Sequence, residues 1–530
     1  MFNDLIKMVR RFNLQNEPSP PKINSIAGQI FNQLALRFPV CMASDEFHFF
    51  PQARAAEHDW SRWDDFSSES IQAVSGQLSQ WNHDLDRCKT AGLSVEQRID
   101  IRTLQRMIKT VLEQLTLIAV HRTQPTFYLT ILSIGIAEAI EAGAKALNSR
   151  VKGLPEFLSH ARHNLQKIPR IFRDLGCEMI SGLKPWLKTL QLAKSVLAPA
   201  VDSLDQFQVH LTRVSTTDEF LLSRELYDQV AFHHMGCYLQ TDEIAFQLDR
   251  ELSETRAILE QSAEQMTSGV PWQEAISKLP APELPPGGVK QLYHRIISNL
   301  TGHCLESGLV TPELVACCPV NVEGIPDYML PVRSNAAFSM PPGHPPQGGT
   351  FFIMASDSTK PVPPDYRLLT AHETFPGHHL LDTCRWNLEK PLRRHIEFPI
   401  FYEGWASFSE ELLFDTGFFS TPMDYMLLAK RRFWRAIRGR VDLDIHTRKR
   451  SLGEAASFLV DHGMDSSHAL AMVLRYVLKP GYQLAYTLGR RHFRRLYDKF
   501  NDRYRNPVKF AYQVLAQGEI DFDNLEQVLL

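Results

Sequence analysis

The 530-residue chain reads as a mainly α, large two-lobed helical protein with a small β element beside its most chemically loaded helix. Three observations carry this reading. Apolar residues recur at three- and four-residue steps through the first half, one short β-branched and aromatic run stands alone in the second, and proline-rich breaks separate them. Hydrophobic residues make up 44% of the chain and charged residues 22%, ordinary values for a globular protein that can bury a sizeable core without disulfides.

The elements follow in chain order. In "LSVEQRIDIRTLQRMIKTVLEQLTLI", Ile101, Leu104, Ile108, Val111, Leu115 and Ile118 form one helical stripe, and Ser94 with Gln97 provides a capping box at its start. "FYLTILSIGIAEAIEAG" (127–143) is the most apolar stretch. Glu138 and Glu141 interrupt it, and it is too short to span a bilayer. "DEIAFQLDRELSETRAILEQ" places Ile244, Leu248, Leu252 and Leu259 on a second stripe. "KLPAPELPPGGVK" then reads as a linker, dividing the chain into a helical N-terminal half (1–277), a proline-rich connection (278–290) and a catalytic half (291–530). A second break, "MPPGHPPQGG" (340–349), leads into the strand-like "GGTFFIM". "PVPP" (361–364) follows, and then the helix bearing "LLTAHETFPGHHLLD" (368–382).

Net charge is −3, which excludes a polycation that binds nucleic acid through overall charge. Basic residues nevertheless cluster: Lys430, Arg431, Arg432, Arg435, Arg438, Arg440, Arg448, Lys449 and Arg450, then Arg490, Arg491, Arg494 and Arg495. The plain reading is solvated helix faces, and the sharper one a lobe that attracts anionic substrate ends. The eight cysteines show no CxxC spacing, so neither a cysteine zinc site nor a disulfide framework is expected. The N-terminal stretch lacks the apolar run of a secretory signal, and a cytosolic protein with no membrane or nucleic-acid partner is expected.

The chemistry concentrates at residues 372–379. A regular His-Glu-x-x-His motif projects histidines at i and i+4 from one helical face toward one zinc ion. Here Pro376 occupies the i+4 position, and the partners available to His372 are His378 and His379. On an unbroken helix, i+7 lies roughly 10 Å up the axis and i+6 points away, so neither could share a metal with His372. Pro376 removes a backbone donor and Gly377 tolerates unusual dihedrals. Together they favour a bulge over residues 373–378 that absorbs two extra residues and brings His378 to the i+4 place. Proline beside glycine could equally end a helix. Further on, Glu403 lies in "FYEGWASFSEELL" with Glu410 and Glu411, in a run too aromatic for a plain exposed face. Two histidines and one glutamate would leave a fourth zinc position for water, with Glu373 as the natural general base.

"HETFPGHHLL", "EGWASFSEEL" and "RYVLKPGYQLAYTLG" (475–489), in this order, resemble the Domain of Unknown Function 885 family, whose members resemble the helical gluzincin zinc metallopeptidases. The likeness extends over most of the chain and implies a zincin-like fold, a Zn2+ cofactor with ligands His372, His378 and Glu403, and Glu373 as base. His379 is then a neighbour or the alternative second ligand. In the family's aspartate–threonine–glycine–leucine–histidine run, this chain reads "DLDIH", keeping Asp442 and His446 but placing Asp444 where glycine is usual. A tryptophan common shortly afterwards is missing.

The expected activity is hydrolysis of peptide or peptide-like amide bonds in a short peptide or peptide-like small molecule. His446 and Tyr486 are the expected oxyanion donors, Tyr476 an alternative donor, and Arg475 beside Tyr476 a binder of a substrate carboxylate. The "GGTFFIM" strand is expected to pair with an extended substrate. Two alternatives stand beside this reading: an amide hydrolase dedicated to a biosynthetic intermediate such as a peptide-like natural product, and a non-catalytic metal-containing binding module.

Overall fold

The computed structural model describes residues 21–55, 58–88, 92–325, 337–354 and 362–530; the N-terminal stretch and the first residue of "PVPP" lie outside them. Helices dominate, and the described strands form two small sheets. The chain divides into two compact units.

The first unit holds the described residues up to Phe220 together with Leu388–Ile396. Its α1 (Val95–Glu113) opens with the expected capping box, Ser94 accepting from the Gln97 amide while Gln97 accepts from that of Ser94. The stripe Ile101, Leu104, Ile108, Val111 and Leu115 is buried; Ile118 lies in a π-helical turn after the helix and is half-buried. Arg393 clips the 388–396 segment to this helix, donating to Asp100 and Glu96 at 2.6 Å each. The apolar α2 (Pro125–Glu141) is buried on most of its surface. No helix among the described residues is long and apolar enough to cross a membrane.

The second unit contains Leu221–Ile325, the described residues of 337–387 and Glu397–Leu530. The division therefore falls at Phe220, and the 278–290 stretch lies inside this unit. Side chains explain the earlier boundary. α3 (Thr241–Met266) packs along α9 (Pro422–His446), Glu251 accepts from Arg432 at 2.8 Å, and Leu248 fills the space over Gly439. Leu279 of the proline-rich stretch packs against the unit's own core.

That core positions the helix of interest. Ile296 and Leu300 on α4 (Gly288–Glu306) meet Leu368 and Ala371 on α5 (Tyr366–Glu373), with Leu413, Leu427 and Leu428 closing the cluster. A three-stranded sheet lies on α4 through Val322, Phe351 and Ile353. Its order is β1 (Val320–Gly324), β3 (Gly349–Ile353), β2 (Ala337–Ser339), with β1–β3 parallel and β2–β3 antiparallel. The "GGTFFIM" strand is thus the centre of the sheet. Both of its sides are paired, so it offers no free edge to an extended peptide, and that expectation is corrected.

Candidate metal centre

The motif departs from a regular helix, by a break rather than a bulge. α5 stops at Glu373, residues 374–377 form bends containing the cis Phe375–Pro376 bond, and α6 (His378–Asn387) resumes. The hydrogen bonds show what was inserted. Gly377 N donates to Ala371 O and Leu380 N to Thr374 O, each spanning six residues instead of four. Two extra residues are accommodated, and His378 comes to the place of an i+4 histidine. Only glycine fits at 377: a Cβ there would lie 1.8 Å from the His372 carbonyl oxygen. Trp405 pins the break from the facing helix by donating its Nε1–H to Pro376 O at 3.0 Å.

Glu403 arrives on α7 (Pro399–Asp415), whose approach to α10 (Leu484–Tyr504) is set by two glycines. A Cβ on Gly404 would lie 2.6 Å from Gly489 Cα, and one on Gly489 would lie 2.0 Å from Ile400 O. This close crossing explains why Glu403 is followed by glycine. It also brings the tyrosines at the start of α10 to the Glu403 carboxylate.

His372, His378 and Glu403 converge. Each offers one ligand atom, all within 4.8 Å of one another, and all three residues are buried. His372 Nε2 lies 3.5 Å and His378 Nε2 3.4 Å from Glu403 Oε2, an atom with no hydrogen-bond partner. On its other side, His372 Nδ1 faces Glu410 Oε1 at 3.1 Å. The Arg435 guanidinium approaches the same Nδ1 at 3.2 Å, so Nδ1 is engaged by the Glu410–Arg435 pair and Nε2 is the nitrogen that faces Glu403. Together the three side chains are a nitrogen–oxygen donor set of the kind that can hold zinc. Glu410 thus stands behind His372 as carboxylates commonly stand behind histidines that bind metals. His378 is steadied by its ring, stacked on Tyr402 at 4.1 Å, whose hydroxyl donates to Asp382 at 3.2 Å.

His379 is not a third contender. Its ring turns from the cluster to pack on Phe375 and Phe338, and its Nε2 pairs with Cys318 O at 3.0 Å. Burial pushes its pKa down to about 4, so it is neutral.

The electrostatics separate the carboxyls. Burial pushes Glu373 up to about 7, with the Glu403 charge adding to the rise and His378 opposing it. Burial acts on Glu403 in the same direction, but the two imidazoles hold it well below the usual carboxylate range. Glu410 is likewise held well down against its burial by Arg431, Arg435 and His372. Arg435 grips both Glu410 oxygens, at 2.6 and 3.0 Å, and Arg431 bridges Glu410 to Asp365. Arg435 is therefore a buried support of the cluster and Arg431 a half-buried one, not a solvated face.

Tyr486 stands beside the cluster, and loss of water together with the neighbouring Glu403 charge raises its hydroxyl pKa well above normal. Sequence reasoning missed Tyr482, whose hydroxyl donates to Glu403 Oε1 at 2.7 Å; its four-residue spacing from Tyr486 was the available signal. Glu410 was also given no role, although seven residues from Glu403 put both on one helical face. The other expected site residues have different neighbours. His446 ends α9 with its ring stacked on Tyr227 at 5.1 Å, 3.7 Å from Asp442 Oδ1. Asp442 accepts from the amides of Gly481 and Gln483, which flank Tyr482. Tyr476 is buried on the helix Ser466–Leu478, which follows α9, and Arg475 beside it is exposed. Among the described residues, the interactions found for His446 and Tyr476 do not reach the three converging ligands.

A mainly helical protein with a buried two-histidine, one-glutamate centre is the class this geometry defines. The chain belongs to the family described as bacterial protein of unknown function (DUF885), whose model matches residues 52–529. No curated protein matches it. Two solved structures share its fold. One is described as "the putative lipoprotein from Colwellia psychrerythraea" (TM-score 0.76, 15% identity, 96% of this chain and 98% of that one). The other is described as "a putative lipoprotein of unknown function from Shewanella oneidensis" (TM-score 0.70, 13% identity, 95% and 99%).

Proposed function

We propose that this chain is a zinc-dependent hydrolase of peptide or peptide-like amide bonds. The observation that supports this best is the convergence of two imidazole nitrogens on an unpartnered, buried carboxylate oxygen, with Glu373 next in sequence to the first histidine. His372, His378 and Glu403 would hold the metal. A bound zinc would supply Lewis acidity and lower the pKa of water to about 7.

The chain's own residues would carry the proton. Glu373, raised to about 7, can take a proton near neutral pH and deliver it to the leaving amine, work typically worth about 10²–10⁴ in rate. Tyr486 would be the donor that meets developing negative charge, and loss of one such donor typically costs about 10²–10³. Tyr482 orients Glu403 through its hydrogen bond. Asp442 fixes the backbone on either side of Tyr482, so the Asp442–His446 pair acts as support for the tyrosines.

The test combines elemental analysis for zinc with cleavage of a mixed library of short peptides. Wild type should hold one zinc and cleave, His372→Ala should lose the metal, and Glu373→Gln should keep it but not cleave. Wild type without zinc in zinc-replete buffer would sink the metal reading. Equal cleavage by Glu373→Gln would sink the proton-transfer role. A zinc-loaded wild type that cleaves no peptide would favour a dedicated peptide-like substrate or a binding module.

A further inference from the structure

Five arginines lie on α9 between residues 431 and 440, and four of them have carboxylate partners. Arg431 pairs with Asp365 and Glu410, Arg432 with Glu251, Arg435 with Glu410, and Arg440 with Asp249 and Asp444. Arg438 is the exception: among the described residues no carboxylate lies within 4.0 Å of its guanidinium. Its Nε is buried and has no hydrogen-bond partner. Asp442, one helical turn along, does not supply one, because its two oxygens accept from Gly481 and Gln483.

This cation sits next to the metal centre. The Arg438 guanidinium carbon lies 4.6 Å from the centroid of the Tyr486 ring, and Tyr486 in turn neighbours Glu403. A second donor belongs to the same neighbourhood. The Tyr476 hydroxyl is buried without a partner on a side chain 3% exposed, and it feels the Arg438 charge. Buried polar groups nearly always find partners, so an unpartnered arginine Nε and an unpartnered tyrosine hydroxyl near one another mark a place suited to an acceptor. An arginine fork matches a planar carboxylate through two parallel N–H bonds.

We propose that Arg438, assisted by the Tyr476 hydroxyl, binds a carboxylate of the substrate, so that the preferred amides carry a free carboxylate a few bonds from the scissile carbonyl, as at the carboxyl end of a short peptide. The inference rests on the metal-hydrolase reading and narrows its substrate class. It also moves the expected carboxylate anchor from exposed Arg475 to half-buried Arg438, where lost water strengthens the ion pair.

The zinc-loaded full chain is titrated calorimetrically with succinic monohydroxamate, which bears a terminal carboxylate, and with its uncharged methyl ester. Wild type should bind the acid about tenfold or more tightly than the ester, the scale of a charge-assisted hydrogen bond. Arg438→Gln should bind the ester as wild type does and lose the preference. Arg438→Lys should keep only part of it, since an ammonium lacks the planar fork. Should Arg438→Gln fail to fold, Tyr476→Phe serves in its place, with a smaller loss of preference expected. Zinc content is read on the same samples. A chain that takes up no zinc refutes the metal reading, and this inference falls with it. A zinc-loaded wild type that binds acid and ester equally, or variants that keep the full preference, overturns this inference alone.

Discussion

Two regions of the second unit each bring a buried histidine to a buried carboxylate, yet they are built for different purposes. At the helix break, Glu403 Oε2 has no hydrogen-bond donor and faces two imidazole nitrogens at 3.4–3.5 Å. At the end of α9, the Asp442 oxygens accept backbone amides, and the His446 ring lies flat on Tyr227. In the first, Glu403 Oε2 is left without a hydrogen bond; in the second, both Asp442 oxygens have donors. The fate of the carboxylate oxygens, more than the presence of a histidine beside them, separates the proposed ligand site from a scaffold.

The sharpest way to break this comparison is to remove each histidine in turn. His372→Ala should abolish stoichiometric zinc, whereas His446→Ala should retain it while lowering thermal stability; equal metal loss in both would erase the distinction. Next in size is Glu373→Gln, expected to lose about 10²–10⁴ in cleavage rate at full zinc occupancy. Supports of the first region should have smaller effects. Glu410→Gln, which removes the carboxylate charge beside His372 Nδ1, should lower zinc affinity about 10–100-fold in a chelator competition, and an unchanged affinity would remove Glu410 from the site. The smallest effect is expected from Trp405→Phe. It strips the donor from the Pro376 carbonyl and should cost about 1–3 kcal/mol in urea unfolding, with zinc loosened less than by Glu410→Gln.

Much of the first region was legible in the residues themselves. A proline and a glycine between His372 and His378 excluded a regular helix, and the arithmetic of 3.6 residues per turn demanded two inserted residues. What residues cannot reveal is how the backbone absorbs them. The expected bulge is a full break, because Thr374 departs from helical dihedrals (φ −116, ψ −112) and tertiary contacts such as Trp405 to Pro376 hold the gap. The second region was less legible. A histidine four residues after an aspartate looks the same in sequence whether the aspartate is a ligand, a base or an anchor for a turn forty residues away.

Local covalent and periodic constraints therefore determined the helical class, the capping box at Ser94, the departure at 374–377 and the residues able to bind metal. Each of these depends only on neighbours within about two helical turns. Tertiary structure alone decided which of His378 and His379 turns inward, that Tyr482 and Glu410 belong to the centre, and that the "GGTFFIM" strand is enclosed. It also decided that four of the five arginines of α9 pair with carboxylates and that, among the described residues, Arg438 pairs with none. The physical reason is common to all of these. They turn on which donor meets which acceptor across elements far apart in the chain, and on loss of water around the pair, neither of which is encoded by spacing along one helix.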